Sequence, residues 1–284
     1  MIPESIIYAL FGLIIGSFLN VCIYRIPLGK SVVFPGSSCP GCSKSIRFYD
    51  NIPVISFLLL RGKCRSCKTP ISFQYPLVEL LTGSLFFACA KAWHFDSPTY
   101  VNSLFLSILI ILIFTDYHHQ ILPNILTIPG TIAGILLSPF QRPPAGQLSS
   151  YYSDKLSVMT AELLYPSNPE VSLPWVGSIL GALIGGGVLL MVGLGYAKLR
   201  KREGLGMGDV KMMAMVGAFM GYYLAFVTIF VGSLLGLLLG VYLIAFRKMN
   251  LQTKLAFGVF LGIGAAVSLF YGIPFLSWYF GFYR

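Results

Sequence analysis

Apolar and polar positions along this 284-residue chain are arranged in long blocks, not in short periods. Apolar runs fall at about 5–24, 76–95, 99–115, 124–140, 174–197, 212–226, 227–246 and 255–277. Each approaches the roughly 20 residues that an α-helix needs to cross a bilayer core. The pattern predicts an all-α polytopic membrane protein with eight transmembrane helices. The stretch from Met212 to Phe246 is too long for one span. Gly221-Tyr222-Tyr223 places a Gly beside two aromatics of the kind found at membrane interfaces, so a turn is expected there.

Two polar blocks interrupt the apolar runs. Residues 25–75 separate the first two spans, and about 141–173, rich in Pro, Ser and Tyr, read as a loop or short surface helices. The expected organisation is a first helix at 1–24, a polar segment at 25–75 and a membrane core at 76–284 that carries the loop. Glycines inside the spans, such as Gly177, Gly181, Gly185, Gly186 and Gly187, suit close helix packing in lipid.

Composition strengthens the membrane reading. The chain is 56% hydrophobic and 11% charged, with a mean hydropathy of +0.79, which no polar-surfaced soluble domain shows. A net charge of +10 would suggest nucleic acid for a soluble protein, but in a membrane protein the placement of the charges matters more. Nucleic acid is therefore not an expected partner. Eight spans put Arg25, Lys30, Lys44, Arg47, Arg61, Lys63, Arg65, Lys68, Lys198, Arg200, Lys201, Arg202, Lys211, Arg247, Lys248 and Lys254 on one side. Only Lys91, Arg142, Lys155 and Arg284 fall on the other. The first side is expected to be cytoplasmic and in contact with anionic lipid, and both termini then face outward. The opening, Met1-Ile2-Pro3-Glu4, lacks a basic segment, and no small-residue cleavage site follows, so the first helix is expected to stay in the mature protein.

Two sets of residues carry candidate chemistry. Cys39-Pro-Gly-Cys42 and Cys64-Arg-Ser-Cys67 form two C-x-x-C pairs on the cytoplasmic side. Such pairs turn as knuckles around a tetrahedral ion, and in a reducing compartment zinc is favoured over a disulfide. Four thiolates leave no open coordination position, so the role expected for the zinc is structural. Cys22 and Cys89 fall inside spans and read as small apolar packers.

The second set is a pair of acids. Asp209 lies in Gly204-Leu205-Gly206-Met207-Gly208-Asp209-Val210-Lys211, where Gly206 and Gly208 leave room for another backbone to approach the carboxylate. Asp116 ends the third span and Asp209 precedes the sixth, so both arrive near the cytoplasmic interface. Two carboxylates sharing one proton suit aspartic-protease chemistry. Each acid is equally well read as a helix cap or as a partner for a nearby cation, notably Lys211. His118 and His119 lack the i, i+4 spacing of a helical zinc site and read as interfacial loop residues. Buried acids that bind ions in a transporter, and redox cycling of the C-x-x-C pairs, are the alternatives from other classes. Acids near mid-span and inverted repeats would mark a transporter, and neither is visible. A presenilin-type G-x-G-D intramembrane protease is a closer alternative, but it would need no four-Cys segment.

Gly16-Ser17-Phe18-Leu19-Asn20-Val21 with Tyr24-Arg25-Ile26-Pro27 resembles the opening of the bacterial prepilin peptidases, or type IV leader peptidases. The likeness continues through Cys39 to Cys42, Tyr49-Asp50-Asn51-Ile52-Pro53, Leu59-Leu60-Arg61-Gly62-Lys63-Cys64 and Tyr75-Pro76-Leu77-Val78-Glu79-Leu80-Leu81-Thr82-Gly83. It extends to Thr115-Asp116, Leu122-Pro123-Asn124, Gly206-x-Gly208-Asp209-x-Lys211 and Phe257-Gly258-x-Phe260-Leu261. The loop at 141–173 has no part in it.

The resemblance implies a membrane aspartyl protease of the bacterial inner membrane, active at the cytoplasmic face. Such enzymes cut the basic leader from type IV pilin and type II pseudopilin precursors after a Gly. They then N-methylate the new terminus with S-adenosylmethionine. The resemblance also implies Asp116 and Asp209 as the catalytic pair and Cys39, Cys42, Cys64 and Cys67 as zinc ligands. Gly206, Gly208 and Lys211 are expected to shape the substrate approach, with Asp50, Glu79 and Asp209 as candidate contacts for a basic leader. No glycine-rich nucleotide-binding turn is visible, so the sequence names no residues for the methyl donor.

Overall fold

The computed structural model describes residues 3–141, 174–200, 206–247 and 256–282. Most of the expected outer loop, Gly204, Leu205 and the basic residues Lys201, Arg202, Lys248 and Lys254 lie outside them. The helices are α1 (Glu4–Arg25), α2 (Ile55–Leu59), α3 (Gln74–Trp93), α4 (Ser97–His119), α5 (Asn124–Leu136), α6 (Pro174–Arg200), α7 (Met207–Arg247) and α8 (Phe257–Phe282). Single 3₁₀ turns lie at Phe48–Asn51 and Ser138–Phe140.

Local chemistry sets the helix ends that matter for the site. α4 starts after Asp96 with Pro98 in its first turn, where a missing N–H costs nothing. It stops where Gln120 turns left-handed and returns its N–H to the Asp116 carbonyl at 2.8 Å. α4 therefore reaches past Asp116 and takes His118 and His119 into its last turn, correcting their reading as loop residues. α7 starts at Met207, which brings Asp209 into the first helical turn and not before it. Gly221 breaks α7 with φ 76° and ψ 172°, a conformation glycine alone adopts readily. The break lies at the expected Gly-Tyr-Tyr turn.

α4 is the centre of the bundle and packs against α1, α3, α5 and α8. Phe105, Leu109 and Leu112 from α4 meet Met212, Met213 and Met215 from α7 and Leu261 from α8 in one buried cluster. α6 lies along α7 with almost no gap. A Cβ on Gly181 would stand 2.1 Å from the Gly217 carbonyl oxygen, and one on Gly217 1.9 Å from that of Gly181. Small residues allow this backbone contact in lipid.

Among the described residues, five helices (α1, α4, α6, α7 and α8) are long and apolar enough to cross a membrane, and α5 is a shorter apolar helix. Outward-facing side chains such as Ile14, Leu183, Met191 and Leu237 are exposed and apolar. In water such a surface would be costly; in a bilayer it matches its solvent. The chain is an all-α polytopic membrane protein.

Candidate active site and metal centre

The polar segment is built on one small device used twice. An isolated antiparallel bridge joins Ser38 to Ser45, and another joins Lys63 to Pro70. Each brackets one C-x-x-C. In the first, the Cys39 N–H donates to Lys44 O (3.0 Å) and the Ser43 N–H to Cys39 O (2.8 Å). In the second, Cys64 N–H donates to Thr69 O (2.8 Å) and Lys68 N–H to Cys64 O (3.1 Å). Ser43 and Lys68, each four residues after the first Cys of its pair, are both left-handed, with φ of 56° and 61°.

The two knuckles face one another. All four sulfur atoms lie within 4.8 Å of each other, and Cys39 Sγ is 3.6 Å from Cys67 Sγ. A tetrahedral zinc with bonds of about 2.3 Å would set its sulfurs about 3.8 Å apart, so the cluster fits that ion. Thiolate character is favoured at the second knuckle. The Thr69 hydroxyl, 3.1 Å from Cys67 Sγ, is the main influence bringing that thiol down to about 6. The Cys67 and Ser66 backbone N–H groups lower Cys64. Arg65 clamps Asp50 through Nε–Oδ2 (2.9 Å) and Nη2–Oδ1 (2.6 Å), tying the 48–51 turn to the second knuckle. Arg65 holds the Asp50 carboxyl below the usual carboxylate range. Asp50 is thus already engaged, which weakens it as a leader contact.

The two aspartates come from helices far apart in the chain. Asp116 is 5% exposed and Asp209 8%. The turn before Asp209 and the Gly258 turn against Asp116 both pack on Leu122, which brings the two carboxylates into one neighbourhood. Each also meets a helix N-terminus, where unpaired N–H groups favour an anion. Asp209 lies in the first turn of its own helix and reaches back to the Gly206 backbone, the second half of a capping box. Asp116 reaches across the bundle: its Oδ2 accepts the Val259 N–H of α8 at 3.1 Å.

This makes Gly258 part of the site. A Cβ there would lie 2.8 Å from Asp116 Oδ2 and 3.0 Å from Leu122 Cδ1. Leu122 also fills the space beside Gly208, where a Cβ would stand 2.9 Å from Leu122 Cβ. Leu122 is therefore packed between the turn that precedes Asp209 and the turn that holds Asp116. Lys211 does not pair with Asp209; its Nζ donates to Asn124 Oδ1 at 2.8 Å. Gly258 and Leu122 stand in stretches that the sequence marks, but nothing in a linear motif shows that Gly258 lies against Asp116 or that Leu122 packs between the two turns.

Two family models match the chain. "Bacterial Peptidase A24 N-terminal domain" matches residues 10–95, and "Type IV leader peptidase family" matches residues 103–241. Curated relatives are named prepilin leader peptidase/N-methyltransferase. One from Myxococcus xanthus is 38% identical over 74% of this chain and 54% of its own length. One from Aeromonas hydrophila is 31% identical over 95% of this chain and 91% of its own. One from Pseudomonas aeruginosa is 31% identical over 93% and 89%. No solved structure matches the chain.

Proposed function

The chain belongs to the type IV leader peptidase family, and from that premise we propose that it removes the basic leader from prepilin and pseudopilin precursors and N-methylates the new terminus. The carrying observation is the convergence of two buried carboxylates, each on a helix N-terminus.

One of Asp116 and Asp209 takes a proton from water while the other donates to the scissile carbonyl oxygen, and a shared proton supplies both states. The Val259 N–H fixes Asp116 without any cation, so the local field stays free for the substrate. Gly206 keeps a side chain off the Asp209 carboxylate, Gly208 leaves room for Leu122 beside it, and Lys211 is held on Asn124 at the edge of the approach.

The two knuckles would hold a structural zinc through Cys39, Cys42, Cys64 and Cys67. S-adenosylmethionine would supply the methyl group. The protein works in the bacterial inner membrane, with the site at the cytoplasmic face, anionic lipid around its basic side and both termini outside. A hydrophobic precursor helix with its basic leader in the cytosol reaches the aspartates at that depth.

The test is to incubate the purified protein in detergent with a prepilin and S-adenosylmethionine and to weigh the product by mass spectrometry. Loss of the leader together with gain of one methyl is the expected result. An untouched precursor, with an active control enzyme alongside, overturns the reading.

A further inference from the structure

Residues 26–73 carry both knuckles, and among the described residues two side chains of the long helices hydrogen-bond this segment. Arg25 at the end of α1 donates to the Ser31 and Gly36 carbonyls (3.0 and 3.3 Å), which holds the approach to the first knuckle. Glu79 of α3 is the other. Its Oε2 accepts the Val54 N–H at 2.7 Å, at a point in the chain between the two knuckles. The Glu79 carboxylate is buried, 7% exposed, and turned to the segment's backbone, which weakens it as a leader contact.

The backbone at that bond is strained. Val54 stands at φ 61°, ψ −49°, and across it the Ile55 N–H donates to the Pro53 carbonyl at 2.5 Å. This is a γ-turn of the rarer hand, which a β-branched residue enters only under constraint. The turn is tied onward. Ser56 Oγ accepts the Ile52 N–H and donates to the Tyr49 carbonyl, both at 3.0 Å, and closes 49–56 into one loop. Asp50 in that loop holds Arg65, which stands between Cys64 and Cys67. Hydrogen bonds joined by short backbone links thus lead from Glu79 in the helix bundle to the second knuckle.

We propose that Glu79 is a positioning residue for precursor binding: through the strained turn at Val54 it holds the four-Cys segment against α3, where the segment forms one side of the leader's path. This rests on the leader-peptidase reading above. Glu79 touches no reacting atom. Asp116 is held by the Val259 N–H and Asp209 stands in the first turn of α7, so the chemical step does not depend on the segment.

The distance from the anchor to the aspartates is short. Gln74 Oε1 and His118 Nε2 are 2.5 Å apart, joining the start of α3 to α4 two residues beyond Asp116. Glu79 lies about 7.5 Å further along α3, at 1.5 Å per residue. A leader that runs from Asp116 into the cytosol passes this junction, at the root of the segment that Glu79 holds.

The test uses the full-length protein in detergent with prepilin and reads initial cleavage rates, limited proteolysis of 26–73 and zinc content. Glu79→Leu keeps the bulk but accepts no hydrogen bond. It should speed proteolysis of the segment by about tenfold or more, the effect of losing a hydrogen bond to a charged group. KM for prepilin should rise at least about threefold, because only the docked fraction binds, while kcat stays within about twofold. Zinc content should not change, since each knuckle is stitched by its own backbone bonds. Val54→Pro removes the donor from the other side and should match Glu79→Leu, with the double variant no worse than either alone. Glu79→Gln keeps an acceptor oxygen and should return KM and proteolysis to within about threefold of wild type. Unchanged proteolysis in both Glu79→Leu and Val54→Pro, a loss that falls on kcat with KM unmoved, additive effects in the double variant, or a Glu79→Gln that behaves as Glu79→Leu overturns the proposal. Wild-type protein that leaves the precursor whole overturns the leader-peptidase reading and the KM claim that rests on it, while proteolysis still judges the anchor.

Discussion

The four-Cys centre and the aspartate pair are built in opposite ways. Each half of the four-Cys centre is an eight-residue hairpin, stitched by its own backbone hydrogen bonds, with two residues between its cysteines. The aspartate pair draws on α4, α7, the N-terminus of α8 and the turn at Leu122, with Asp116 and the amide that holds it 143 positions apart. A local centre declares itself in a spacing. A centre assembled from distant helices depends on packing, and its supporting residues carry no motif of their own.

That contrast is most exposed to a change at the carboxylates. Asp116→Asn or Asp209→Asn should slow leader cleavage by about 10³-fold or more while the protein stays in the membrane. Retained processing in both, followed by mass spectrometry, would remove the aspartates from the chemistry. Next in size is Gly258→Ala, distant from both acids in sequence. Its methyl would press on Asp116 Oδ2 and Leu122, and a displacement near 1 Å should lower kcat by about 10²-fold. A variant with wild-type kcat would show that the α8 contact does not hold Asp116 in its working position.

Changes at the metal centre should act through structure. Cys39→Ser or Cys64→Ser should lower the zinc content measured by atomic absorption and open the segment to protease, with a several-fold loss of activity expected from looser docking. Full metal content in either variant would show that the sulfur is not a ligand. The smallest effect is expected at the Asp50–Arg65 clamp. Arg65 holds Asp50 below its ordinary value. Its contribution is therefore complete above the unfolded value near 4 and is lost as pH falls through the folded one. Proteolysis of the segment should rise below about pH 4, with Asp50→Asn already showing that rate at neutral pH.

How far the sequence led follows the same division. The helix break at Gly221 was legible because a Gly beside two aromatics has a strong local preference. The C-x-x-C spacing carried the gathering of the four cysteines, and the opposite chain directions of the third and sixth spans already brought Asp116 and Asp209 to one side. The caps were harder to see. That α4 runs on to His119 and α7 starts at Met207 depends on Gln120 turning left-handed and Gly206 acting as a cap, which apolar run lengths do not report. The packing of Leu122 and Gly258 beside the aspartates is a tertiary fact. It exists only once α4, α7 and α8 have packed.

The matched hairpins around Cys39 and Cys64 have a consequence for engineering. With Ser43 and Lys68 in one left-handed slot and the bridges in the same register, 38–45 and 63–70 are two copies of one backbone pattern. A chain carrying the second hairpin in both places would repeat that backbone but set the Ser66 side chain in the place of Gly41, where a Cβ would stand 2.6 Å from Thr69 Oγ1. The identity of each hairpin is then set by what else it must touch: Gly41 of the first makes room for Thr69 of the second, and Arg65 of the second holds Asp50 outside the centre.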